Sequence, residues 1–188
     1  MKHNNLNVSN TLTVLRILML PLLIFCFFKN NKTFDLLAFS IFVFGSITDY
    51  LDGLYARKKQ QTTKLGQTLD PLADKLFVTT TIELILGFNL TEKYNIIAMI
   101  IIMCREIIVS NMRSKVQEKS DNFTTSMMSK VKTCTQMLAL SGILLNNICH
   151  NSYISIISTL LLWLSSILAI SSCYQYFYRY KTILIENK

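Results

Sequence analysis

The sequence is short of charge, of glycine and of proline. Asp, Glu, Lys and Arg make up 16% of its 188 residues, where a soluble domain carries about a quarter. With 51% hydrophobic residues, that shortage argues against a soluble globule and for a polytopic membrane protein. Five glycines and two prolines leave no Gly/Ser linker. Neither an internal repeat nor a low-complexity tail is present, so residues 1–188 read as a single domain. No pair among Cys26, Cys104, Cys134, Cys149 and Cys173 stands at the two-residue spacing of a zinc or redox site. Most of them lie inside apolar runs, which sets aside a disulfide framework. The net charge is +8, but the cations sit in short segments between apolar runs and form no stripe on a soluble face. They suit phospholipid headgroups and not nucleic acid.

What the chain has in abundance is long apolar sequence. Six runs span about residues 11–28, 34–49, 72–90, 94–109, 127–147 and 153–177. In hydrocarbon the backbone must satisfy its own hydrogen bonds, so these runs predict an all-α protein with six transmembrane helices. Several approach the roughly 20 residues of a span only when their polar ends are included. The first run follows few cations, contains Arg16 and Pro21, and precedes no small-residue cleavage site, so it reads as a retained span. Of the Lys and Arg residues in the connectors, thirteen fall on one side and Lys29, Lys32 and Lys93 on the other. Both termini are therefore expected on the cytoplasmic side of the cytoplasmic membrane. Tyr174, Tyr176, Phe177, Tyr178 and Tyr180 close the last run as an interfacial belt.

The scarce glycines and prolines cluster around a constellation of carboxylates. From Asp49 the chain reads Asp-Tyr-Leu-Asp-Gly-Leu-Tyr-Ala-Arg, followed by Gly66, Asp70 and Asp74. On a helix Asp49 and Asp52 share a face by i,i+3 spacing, and Asp70 and Asp74 by i,i+4. Gly53 and Ala56 remove side-chain bulk beside the first pair, so a large ligand can approach the backbone. Four carboxylates at a membrane edge repel one another unless cations compensate. An oxygen-only ligand set without His or Cys favours Mg²⁺ or Mn²⁺. Two such ions clamp a diphosphate and stabilise attacking and leaving oxygens. Arg57 adds a forked donor for phosphate. The structural alternative is helix capping: Asp70 before Pro71 reads as an N-cap followed by proline at the first helical position. Capping does not account for all four, and ionisable groups at membrane depth are functional by default.

The pattern Asp-x2-Asp-Gly-x2-Ala-Arg-x8-Gly-x3-Asp-x3-Asp, from Asp49 to Asp74, resembles the signature of the CDP-alcohol phosphatidyltransferase family at every fixed position. The resemblance implies an active site on the cytoplasmic side, a homodimer, and metals held by Asp49, Asp52, Asp70 and Asp74. It further implies that Asp52, Gly53, Ala56, Arg57 and Gly66 line the CDP-lipid site, and that Asp74 is the general base. Within the family the chain is similar to bacterial members that transfer a phosphatidyl group from CDP-diacylglycerol to sn-glycerol 3-phosphate. Three stretches carry that similarity: Asn7 to Arg16 with Pro21; Asp70-Pro-Leu-Ala-Asp-Lys75; and Arg105-Glu-Ile-Ile-Val-Ser110 with Arg113, joined by Lys130-Val-Lys-Thr133 with Gln136. Ser9 and Ser129 depart from the proline and glycine that those members usually carry there.

A dianionic acceptor needs cations beyond Arg57. Arg105, Arg113, Lys132 and Arg16 are the candidates at span ends. Each has a plainer reading. Arg105 pairs with Glu106 or another acidic residue, Arg113 and Lys132 snorkel to headgroups, and Arg16 makes a structural or nucleotide-side contact. Lys75 tunes or neutralises Asp74. A cardiolipin synthase of the same family, with phosphatidylglycerol as acceptor, keeps the same aspartates. A metal-ion transporter also carries intramembrane carboxylates, but here they sit at span edges without an inverted repeat. A purely structural membrane protein gives no reason for the Gly53, Arg57 and Gly66 spacing.

Overall fold

The computed structural model describes the backbone of residues 8–29, 31–59, 64–117 and 127–186, and the side chains of residues 14–29, 31–48, 73, 75–112 and 128–178. Among the described residues the secondary structure is wholly helical, in six helices. These are α1 (Val8–Phe28), α2 (Lys32–Lys59), α3 (Lys64–Gly87), α4 (Asn95–Gln117), α5 (Met127–Cys149) and α6 (Ser152–Glu186). Stretches long and apolar enough to cross a membrane occur in α4, over Asn95–Met112, and in α6, over Ser152–Tyr178; α1 holds a shorter one, Val14–Phe28.

Helices α2 and α3 overrun the apolar runs that announce them. The 28 residues of α2 measure about 42 Å at 1.5 Å per residue, so its helix continues through Asp49, Asp52 and Arg57. Helix α3 starts at Lys64, six residues before Asp70, so the reading of Asp70 as an N-cap is overturned: Pro71 lies inside the helix. Proline removes one backbone donor there.

The chain divides into two units, one of Met1–Leu90 with Leu144–His150, the other of Thr91–Ile143 with Asn151–Lys188. In the first, α1 packs on α2 and α3, burying Leu23, Cys26, Phe42, Phe77, Ile82 and Ile85. Phe42 and Phe77 stack with ring centroids 5.7 Å apart and planes within 3°. Gly45 faces the same ring: a Cβ there would lie 2.6 Å from Phe77 Cζ. Only a residue without a side chain leaves room for the Phe77 ring of α3 against the backbone of α2. Phe88 closes the far end, edge-to-face with Phe27 and Phe28.

In the second unit α4 packs on α6. Helix α6 buries Ser158, Ser165, Ser166 and Ser172, each returning its hydroxyl to a carbonyl of its own helix three residues back, and Ser172 meets Arg105 of α4. Small residues of this kind let helices meet closely where apolar burial alone gives little driving force. A Cβ on Gly142 would lie 2.8 Å from Ser158 Cβ, so α5 meets α6 at Ser158. Asn95, 1% exposed, ties α4 to α6. Its Nδ2 donates to Thr91 Oγ1 (2.9 Å) and Thr159 Oγ1 (3.2 Å), and its Oδ1 accepts from Trp163 Nε1 at 3.1 Å.

Large apolar side chains also point outwards, among them Leu18, Phe28, Leu160, Ile167 and Tyr174. An exterior this apolar fits lipid and not water. All five cysteines are free, as their scattered positions predict.

Candidate active site

The carboxylate signature is split between two helices of the first unit. Asp49, Asp52, Gly53, Ala56 and Arg57 fall on α2; Gly66, Asp70 and Asp74 fall on α3. Their side chains lie outside the described residues, but the helical backbone fixes their register. At about 100° per residue, Asp49, Asp52 and Gly53 fall within one third of the circumference of α2, and Gly66, Asp70 and Asp74 fall along one stripe of α3. The expectation of shared faces therefore holds for the backbone.

The described side chains beside these positions show what brings the two helices together. Gly45 lies one turn before Asp49, and Phe77 lies one turn after Asp74. Their contact is thus the nearest described packing to both carboxylate pairs. Ala73, between Asp70 and Asp74, is buried, as is Thr48 beside Asp49. The Thr48 hydroxyl donates to the Gly45 carbonyl at 2.8 Å, which satisfies it within its own helix. The donor set implied by the signature is all carboxylate, and it stands on two stiff helices joined by a ring-on-backbone contact. That suits hard divalent cations. Among the described residues no group of His, Cys, Asp and Glu forms another metal site.

Of the candidate acceptor cations, two are brought together in the second unit. Arg105 on α4 and Lys132 on α5 are 7% and 1% exposed. Between them stands Glu106. Lys132 Nζ donates to Glu106 Oε1, and Arg105 Nη1 approaches Glu106 Oε2 at 3.5 Å. The longer contact makes Lys132 the principal partner of that carboxylate. The remaining Arg105 donors meet neutral oxygens. Nε and Nη2 both donate to Ser172 Oγ, at 3.1 and 3.0 Å, and Nη2 also reaches Ser129 Oγ at 3.4 Å. The Tyr176 ring, on α6, lies 5.9 Å from the guanidinium carbon, within cation–π range. One turn beyond Lys132, Gln136 is buried and its Oε1 has no hydrogen-bond partner among the described residues. A buried orphan acceptor of this kind calls for a donor.

Arg105 therefore pairs with Glu106, as the plainer reading held, while keeping its guanidinium in a polar nest shared with Lys132. Lys132 does not snorkel; it is buried. Arg16 is buried on α1, within the first unit. The Arg113 side chain lies outside the described residues. Sequence reasoning missed Ser172 and Tyr176. Serine recurs on α6 at positions 158, 165 and 172, a seven-residue spacing that marks the buried face but does not single out the one serine that meets a guanidinium.

Comparison with known proteins accords with this geometry. A family model described as CDP-alcohol phosphatidyltransferase matches residues 6–171. A protein of Haemophilus influenzae named CDP-diacylglycerol–glycerol-3-phosphate 3-phosphatidyltransferase is 36% identical over 183 residues, covering 96% of this chain and 97% of its own. Proteins of the same name are 36% identical in Rickettsia typhi, over 94% of this chain and 98% of theirs, and 37% identical in Wigglesworthia glossinidia brevipalpis, over 92% and 94%. The signature of Asp49 to Asp74 and the similarity along nearly the whole chain agree, and the chain belongs to the CDP-alcohol phosphatidyltransferase family.

Proposed function

We propose that this chain transfers the phosphatidyl group of CDP-diacylglycerol to sn-glycerol 3-phosphate, giving phosphatidylglycerophosphate and CMP. The observation that carries the reading is the end-to-end similarity to three relatives bearing that activity in their names. The paired buried cations Arg105 and Lys132 support it, since they suit a phosphorylated acceptor.

Asp52, Gly53, Ala56, Arg57 and Gly66 hold the CDP end of the donor, with Arg57 forked on phosphate oxygens. Asp49, Asp52, Asp70 and Asp74 would hold two Mg²⁺ or Mn²⁺ ions, which would supply positive charge against the diphosphate and the leaving oxygen. Asp74 takes the proton from the acceptor hydroxyl. The freed oxygen attacks the phosphorus that bears diacylglycerol, the bond to the CMP phosphate breaks, and CMP departs with the electron pair. Arg105 and Lys132 hold the acceptor phosphate, and Gln136 Oε1 accepts from a glycerol hydroxyl. Arg113 and Arg16 contribute charge at the acceptor and nucleotide sides. The six helices all span the cytoplasmic membrane, with both termini and the active site on the cytoplasmic side, and the protein works as a homodimer among phospholipids.

The test is direct. Purified protein with CDP-diacylglycerol, Mg²⁺ or Mn²⁺ and labelled glycerol 3-phosphate should release CMP and label a lipid. Turnover with phosphatidylglycerol and none with glycerol 3-phosphate would replace this acceptor by that of a cardiolipin synthase. Metal flux in proteoliposomes without CMP release would favour a transporter.

A further inference from the structure

The polar nest on α4, α5 and α6 holds its cations and its anion in different ways. The Arg105 guanidinium is fixed by neutral groups: Ser172 takes two donors, Ser129 a third, and Tyr176 covers the face. Those contacts survive without Glu106. Lys132 is enclosed at 1% exposure, and among the described residues its ammonium meets Glu106 alone. Glu106 is the most exposed of the three, at 19% of its side chain. Its carboxylate touches Arg105 and Lys132 and makes no other polar contact among the described residues. The cations are thus set in the wall, whereas the anion bridging them is the part with freedom to leave. Two carboxylate oxygens spread across a guanidinium and an ammonium also mimic two oxygens of a phosphate.

We infer that Glu106 is an internal counter-anion occupying the acceptor-phosphate position, displaced when a dianionic phosphate monoester arrives. This rests on the reading of Arg105 and Lys132 as the acceptor pocket and adds to it a selection device. An incoming anion must outcompete a carboxylate already in place. A dianionic monoester gains two charge-assisted contacts and does so. A singly charged phosphodiester, such as the headgroup of a neighbouring lipid, brings half the charge and does not. In a membrane crowded with diester headgroups, a pair of uncompensated cations would otherwise be blocked. Glu106 is then a positioning and selectivity residue, and removing it loosens selection while strengthening anion binding.

The experiment compares wild type with Glu106→Gln in detergent. If Glu106 competes for the site, the variant shows a lower KM for glycerol 3-phosphate, by about fivefold, the worth of one partly buried ion pair. Inorganic phosphate inhibits it more strongly in the same proportion, and dimethyl phosphate, inert towards wild type, becomes an inhibitor. Without anions the variant melts at a lower temperature than wild type, and inorganic phosphate raises its Tm by more than it raises that of wild type. A raised KM together with a Tm deficit that phosphate does not repair would overturn the inference, leaving Glu106 a structural prop. Should Glu106→Gln be recoverable only in phosphate, that recovery is itself the expected result. Should it never be recovered, Glu106→Asp, whose shorter side chain cannot bridge both cations, must show the lowered KM, and an unchanged KM there overturns the inference. Failure of the pocket reading is seen separately: Lys132→Met would then leave the KM for glycerol 3-phosphate unchanged.

Discussion

Gly45→Ala places a methyl group where the structure has no room, and its consequences reach the carboxylate helices. The new Cβ would stand 2.6 Å from Phe77 Cζ and 2.8 Å from its Cε1. The ring cannot swing aside, because Phe77 is 1% exposed and lies flat against Phe42. Helices α2 and α3 must therefore separate. Overpacking of this kind costs about 1–3 kcal/mol, and so close a contact belongs at the upper end. Alanine recovers about 0.5–1 kcal/mol of backbone entropy within a helix, so the net loss is about 2 kcal/mol. For a chain of this size that corresponds to a fall in Tm of about 4–8 °C, read by thermal unfolding in detergent. The larger effect falls on turnover. Asp49 and Asp74 lie one turn from the contact, and a displacement approaching 1 Å at reacting groups costs up to about a hundredfold. CMP release at saturating substrates should fall by at least about tenfold at temperatures where the variant remains folded. Adding Phe77→Leu should restore part of both losses, since the double variant relieves the clash; neighbours in contact show such coupling. Unchanged Tm and turnover in Gly45→Ala would refute the role given to this contact, and so would strictly additive losses in the double variant.

Asp74→Asn should lower kcat by about 10²–10⁴-fold, the usual contribution of a general base, with the KM for CDP-diacylglycerol little changed; retained turnover would place the base elsewhere. Ser172→Ala removes the oxygen that accepts from both Nε and Nη2 of Arg105. The KM for glycerol 3-phosphate should rise by about tenfold at nearly constant kcat, equivalent to about 1.4 kcal/mol. Asn95→Leu leaves Trp163 Nε1 without its acceptor. Stability should fall by about 1–3 kcal/mol, while kinetic constants of the folded fraction stay as in wild type. Chelation with EDTA should abolish CMP release, and Mg²⁺ or Mn²⁺ should restore it.

Local sequence announced the helices because long apolar runs, too long for strands and free of Gly/Pro clusters, favour helix. It announced the signature as well, because Asp49 to Arg57 and Gly66 to Asp74 each lie within a few turns of one helix, where spacing alone sets which positions share a face. The same local reading misjudged Asp70. An Asp-Pro pair signals a helix start, yet α3 begins at Lys64, six residues earlier, so a local signal of this kind does not by itself set the boundary. The free state of the cysteines was legible too, from their scatter.

Longer-range pairings were not legible. Arg105 meets Ser172 across 67 residues and Lys132 meets Glu106 across 26; Trp163 meets Asn95 across 68. Nothing in the serine spacing of α6 marks Ser172 over Ser165, because which serine faces a guanidinium depends on how α6 lies along α4. Basic residues suggested an acceptor pocket, but only packing showed that two of them are buried together with a carboxylate between them. Sequence by itself determined what each helix carries on which face, through periodicity along a single chain segment. The tertiary structure decided which faces meet, since close approach at Gly45, Gly142 and the α6 serines is a property of two helices at once.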